Sequence, residues 1–190
     1  MKKIVIIDKK NKQKDIIKEN KENKEEKTRE IIKNVLSDIS LSILIDDSFD
    51  NHEKQKKLIE NVFLNKDFPE KKFLINELKK KISSYKSQDI KKDFHEKDNL
   101  ITLSDVINKL FNCNLFCYYC NCEVFLLFKN VRYKKQWTLD RINNYDEHTN
   151  NNTIISCLEC NLQRRRKNSD KFLFTKRLET NQLKINKLNI

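Results

Sequence analysis

Residues 137–148 read WTLDRINNYDEH, and residues 157–161, starting nine positions after His148, read CLECN. The run from Val131 to Ile142 is rich in aromatic and β-branched residues and predicts a strand. Glu123 to Phe128 predicts another, with Lys129-Asn130 as the turn between them. Polar Asn143 to Asn152 reads as a loop, Thr153 to Ser156 as a short strand, and Leu158 to Lys167 as a helix. The second half of the chain is therefore strand, strand, long loop, strand or turn, then helix.

The cysteines join these pieces. Six fall at Cys113, Cys117, Cys120, Cys122, Cys157 and Cys160. Cys117/Cys120 and Cys157/Cys160 each form a Cys-x-x-Cys pair, 36 residues apart. A two-residue spacer lets both sulfurs of a pair reach one metal from one tight turn, so four thiolates around a tetrahedral Zn²⁺ are expected. The start, MKKIVIIDKK, is too short and too quickly charged for a secretory signal, which argues against disulfides and for an intracellular protein of the cytoplasm or nucleus, or one associated with a virion. Cys113 and Cys122 are less regularly spaced and read as small buried residues.

Upstream, the sequence reads as helices. Residues 1–47 are expected to hold a strand-like start and a charged arm, with a solvated helix over about 12–37. Residues 48–112 read as a helical domain. Asp47, Ser48 and Asp50 offer caps for a helix through Leu58, Ile59, Val62 and Phe63. Pro69 suits a first helical turn before Leu74, Leu78, Ile82 and Tyr85. Ser104 can cap a short helix bearing Val106, Ile107, Leu110 and Phe111. Residues 113–190 would form the zinc-stapled domain, with a basic helix at the end. The fold class is then α+β.

The net charge of +12 points to a polyanionic partner, and no apolar run is long enough to span a membrane. With no Gly, one Pro and much Lys, Asn and Ile, the chain suits an A/T-rich genome such as that of a virus, mobile element or parasite. Codon drift would inflate Lys but not Arg, so Arg164-Arg165-Arg166 carries more weight than the lysines. From Asn161 onward nine Lys/Arg face only Asp170 and Glu179.

Cys117-x-x-Cys120, Trp137-Thr-Leu-Asp-Arg-Ile, Asn152 and Cys157-Leu-Glu-Cys160-Asn161 together resemble the zinc-containing HNH endonucleases, over roughly residues 113–175. The resemblance implies a ββα-metal fold with one catalytic Mg²⁺ or Mn²⁺ and the zinc knuckles as staples. Asp140 and Asn161 would hold that metal, and Asn152 would organise the loop and orient the base. Arg141 stands where many members have their histidine. It cannot accept a proton, but it can grip a phosphate. His148 is the replacement base or, equally, a loop-bracing histidine. Arg164, Arg165, Arg166 and Lys167 would contact phosphates beside the site.

Three functions follow as expectations. The first is a metal-dependent nuclease acting on DNA, or on RNA, with the helical half binding nucleic acid or a protein partner. The second is a non-catalytic, zinc-stabilised nucleic-acid-binding factor for viral transcription, packaging or a virion. The third is a protein-interaction adaptor that zinc merely folds.

Overall fold

The computed structural model describes residues 51–94, 99–128 and 132–188, with backbone only at 180 and 182–188. All of these residues belong to one compact unit within Ile43–Ile190. The expected arm over residues 1–47, the caps Asp47, Ser48 and Asp50, and the Lys129-Asn130 turn lie outside the described residues. Among those described, no helix is long and apolar enough to cross a membrane.

The elements are α1 (His52–Phe63), α2 (Lys71–Ile90), α3 (Leu103–Asn112), β1 (Trp137–Arg141), β2 (Thr153–Cys157), α4 (Leu158–Arg164) and α5 (Ser169–Leu188). The helices accompany a two-stranded antiparallel sheet in which Trp137 pairs with Cys157, Leu139 with Ile155 and Arg141 with Thr153. The architecture is α+β.

Helix α1 starts at Asn51, whose side chain accepts the Lys54 N–H at 3.0 Å. Helix α2 begins after a turn that contains Pro69, so the proline lies just ahead of the Glu70 N-cap rather than inside the first turn. Helix α3 is capped by Thr102, not Ser104. Thr102 accepts the Asp105 N–H at 3.2 Å while Asp105 takes the Thr102 N–H at 3.0 Å. This reciprocal box satisfies two orphan N–H groups, which Ser104, already inside the helix, cannot do.

The expected strand over Glu123 to Phe128 is reduced to isolated bridges at Glu123 and Phe125. The reason is Gln55, fully buried on α1. Its Oε1 accepts the N–H groups of Leu126 and Leu127 at 2.6 and 3.0 Å, and its Nε2 donates to the Leu127 carbonyl at 3.0 Å. One side-chain amide thus stands in for a neighbouring strand and satisfies the backbone without a ladder.

The core joins the helices to the cysteine-rich half. Leu74, Leu78, Val106, Leu110, Leu115, Val124, Trp137 and Leu139 are all buried. Tyr85 of α2 accepts the Leu139 N–H at 3.0 Å, and His52 of α1 bonds the Leu115 carbonyl at 3.0 Å. The boundary expected at residue 112/113 therefore falls inside one packed unit. Positive φ occurs at Asn65, Asp93, Asn114, Leu115, Asn121 and Arg165. In a chain without glycine, Asn and Asp take most of these left-handed positions because their short polar side chains tolerate them best.

Lys81 of α2 is half-buried against β1. Its ammonium donates to Gln136 Oε1 at 3.1 Å and to the Trp137 carbonyl, and it lies 4.6 Å from the Trp137 ring centroid. Burial lowers its pKa from 10.5 to about 7. Between those values the unfolded chain holds a proton that the folded chain lacks, so this group makes stability rise with pH across that window. Urea unfolding at pH 7 and pH 9 should show a gain, on the order of 1 kcal/mol per unit at most, that shrinks in Lys81→Met. Equal pH responses in the two proteins would disprove the assignment.

Candidate functional site

Two knuckles bring four sulfurs together. The first is the turn from Cys117 to Cys120, closed by Asn121, whose N–H reaches the Cys117 carbonyl at 2.9 Å and whose φ is 56°. The second is the junction of β2 and α4. Cys157 ends the strand and caps the helix, its Sγ accepting the Cys160 N–H at 3.3 Å. The sulfurs of Cys117, Cys120, Cys157 and Cys160 lie within 4.8 Å of one another, and those of Cys120 and Cys157 are 3.9 Å apart. Thiolates about 2.3 Å from one tetrahedral Zn²⁺ stand about 3.8 Å apart, so the cluster is a possible metal site consistent with structural zinc. Cys122, expected to be a bystander, lies against this cluster, and its carbonyl accepts the Cys117 N–H at 2.8 Å.

Helix α4 packs on both strands. Asp140, near the end of β1, is buried, and its carboxylate is fully engaged. Arg164 of α4 grips it in a fork, Nε to Oδ2 at 2.6 Å and Nη2 to Oδ1 at 2.9 Å. The Tyr119 hydroxyl donates to Oδ2 at 2.7 Å. Arg164 also donates to the carbonyls of Lys167, at 2.7 Å, and Arg141. The expectation that Arg164 contacts phosphate is corrected: its side chain is fully buried, because the carboxylate it pairs with lies under α4.

The loop between the strands is tied by Asn152. Its Oδ1 accepts the Asn143 N–H at 2.8 Å, and its Nδ2 donates to the carbonyls of Asn143 at 3.0 Å and Glu147 at 2.8 Å. That last bond holds the residue next to His148. Asn161 donates through Nδ2 to Thr138 Oγ1 at 3.1 Å.

His148 is buried and held from outside the expected site. Asp89 of α2, itself fully buried, meets the imidazole Nδ1 at 2.8 Å and accepts the His148 N–H at 2.9 Å. Facing a carboxylate, Nδ1 carries the proton, which leaves the lone pair on Nε2. Burial pushes the imidazole pKa below its ordinary value, Asp89 pulling against it and the nearby Arg141 and Lys92 adding to it. Arg141 donates to the Asp146 carbonyl at 2.8 Å, lies 3.6 Å from Asp89, and stacks over the Phe94 ring at 5.5 Å.

One cleft of about 750 Å³ has walls that include His148, Asn161, Lys92, Arg141, Arg165 and Arg166, while Asp89, Asn152 and Arg164 do not line it. The exposed ring of Tyr145 stands at its edge. Asp140 also lines the cleft and is its one carboxylate among the described residues. With both oxygens of Asp140 taken and four cations around it, this arrangement does not fit a divalent catalytic cation of the kind expected at Asp140 and Asn161. It fits an anion. Lys167 lies outside the cleft, in a neighbouring groove.

Asp89, Tyr119 and Lys92 escaped the reading from sequence. Asp89 had a signal. It sits four residues after Tyr85 and extends the apolar stripe Leu74-Leu78-Ile82-Tyr85, and a carboxylate on a core-facing stripe asks for a buried partner. Comparison of the chain with protein-family models, with curated proteins and with solved structures returns no match.

Proposed function

We propose that this unit binds a nucleic-acid strand and hydrolyses its phosphodiester bonds, with Zn²⁺ held by Cys117, Cys120, Cys157 and Cys160 as a structural staple and His148 as general base. The reading is supported chiefly by the Asp89–His148 pair in the wall of a cationic cleft. A buried carboxylate fixes the tautomer and aims the ring, which is what a general base requires.

In the chemical step Nε2 of His148 takes a proton from water as the water oxygen bonds to phosphorus. The phosphorus–oxygen ester bond breaks, and the leaving oxygen is protonated from solvent. Arg141, Arg165 and Arg166 offset the charge that builds on the phosphate oxygens. No step is assigned to Asp140, whose carboxylate already serves Arg164 and Tyr119.

DNA is the first substrate to test and RNA the second. His148→Ala should lower single-turnover cleavage by about 10²- to 10⁴-fold. The acid limb of the pH–rate profile should lie below the ordinary imidazole value, since burial lowers that pKa. Asp89 favours the protonated ring, so Asp89→Asn should slow the reaction and move that limb to still lower pH. A cleavage rate indifferent to both substitutions would exclude His148 as the base.

The Arg164–Asp140 clamp favours a second reading, a zinc-stapled module that binds nucleic acid without turnover. It is the correct reading if zinc-loaded protein binds DNA or RNA and cuts neither, with or without added Mg²⁺ or Mn²⁺.

A further inference from the structure

Beyond the cleft, α4 and α5 enclose a second groove of about 1110 Å³. Its acidic residues are spoken for: Glu159 pairs with Lys134 at 3.4 Å and Glu179 with Lys176 at 2.9 Å. Arg132, Arg165, Lys167 and Lys171 also line it, and none of these four has a carboxylate partner among the described residues. Phe172 is buried in its floor, and Leu162, 62% exposed, stands at its rim.

Two residues, Leu162 and Arg165, line both this groove and the His148 cleft. Arg165 follows the last residue of α4 with φ 51° and ψ −112°, a backbone conformation that suits glycine and strains any residue with a Cβ. The chain holds it there from both sides. Arg164 is locked on Asp140, and Asn144 Nδ2 donates to the Arg165 carbonyl at 3.2 Å. A guanidinium is thereby kept on the ridge between the two depressions.

We infer that the α4/α5 groove is a second phosphate-binding site for the same nucleic-acid strand, which passes from the His148 cleft over Leu162 and Arg165 and onto Arg132, Lys167 and Lys171. The inference rests on the nucleic-acid reading of the cleft. Charge selects the occupant: four uncompensated cations match successive backbone phosphates, and an apolar rim suits sugars and bases rather than a second charged surface.

The test is anisotropy titration of labelled single strands, in a His148→Gln background so that hydrolysis does not intrude. Strands of about four nucleotides fill one site, and strands of about sixteen reach beyond it. The longer strand should bind more tightly. Substituting Arg132, Lys167 and Lys171 together by Gln should weaken the long strand roughly 10- to 100-fold and reduce its salt slope by about 2, while the short strand is unaffected. Arg165→Gly should weaken both strands yet raise the melting temperature, because it relieves the strained backbone.

A triple variant that binds the long strand like its parent overturns the groove while leaving the cleft reading intact. An unchanged affinity in Arg165→Gly also overturns the groove, because it removes the shared ridge, and it takes Arg165 out of the cleft's phosphate contacts as well. Poly-glutamate binding as tight as the long strand would also overturn it, in favour of an acidic protein partner. If the parent binds neither length, as DNA or RNA, the cleft reading itself fails and the groove falls with it.

Discussion

Stripping the metal with a strong chelator at neutral pH is expected to unfold the cysteine-rich half of this unit. The two knuckles tie together segments 36 residues apart in sequence. Cys117 and Cys120 sit on a turn outside any helix or strand, joined to β2 by the bond from the Tyr118 N–H to the Ile155 carbonyl at 3.0 Å. A metal shared by the four buried or half-buried thiols would be the stronger tie between the knuckles. Binding free energy at such a site is folding free energy, on the order of 10 kcal/mol or more at pH 7. The loss should appear as a collapse of the melting transition. Re-addition of Zn²⁺ should restore it, and metal analysis of the native protein should give one zinc per chain. Cys157→Ser should act more severely than Cys113→Ser, since Cys157 also caps α4. A melting curve untouched by chelation would sink the zinc staple.

Replacing Arg164 is the second large effect. Arg164→Leu would leave the buried carboxylate of Asp140 with only the Tyr119 hydroxyl, and removing one partner of a buried ion pair costs about 3–5 kcal/mol. Arg164→Lys should rescue little, because an ammonium cannot reproduce the fork to both oxygens. Asp140→Asn combined with Arg164→Leu should recover part of the loss, and the double-mutant cycle measures the coupling. The outcome also separates two roles for Asp140. If Arg164→Leu is as stable as the parent and gains activity with added Mg²⁺, the carboxylate was being withheld from a metal, and the clamp is not structural.

The clamp changes how the Arg164-Arg165-Arg166 run is understood. From the linear sequence all three looked like members of one basic face. In the fold they divide three ways: Arg164 turns inward to the sheet, Arg165 stands on the ridge between cleft and groove, and Arg166 lines the cleft. Only Arg164 belongs to α4: the helix ends there and the backbone turns at Arg165 with φ 51°, so the three side chains leave in different directions, which the charge run by itself does not reveal.

What the residues alone determined was local. Cys-x-x-Cys spacing implied that each pair of sulfurs converges, and the structure gathers those four into one possible metal site. The residues implied a strand over the β-rich run from Val131 to Ile142, a short strand from Thr153 and a helix from Leu158 to Lys167. Strand β1 takes up only Trp137–Arg141 of the first run, β2 runs Thr153–Cys157, and α4 stops at Arg164, where the backbone turns to positive φ at Arg165. Spacing and propensity act over a few residues, and they can be read from a few residues. The partners of Asp140 and His148 were decided only in three dimensions. Asp89 lies 59 positions from His148 and Arg164 lies 24 from Asp140. No local rule selects one carboxylate or one guanidinium over another at such separations. The choice is made by packing α2 and α4 against the same strand, where a buried charge must find an opposite charge within reach.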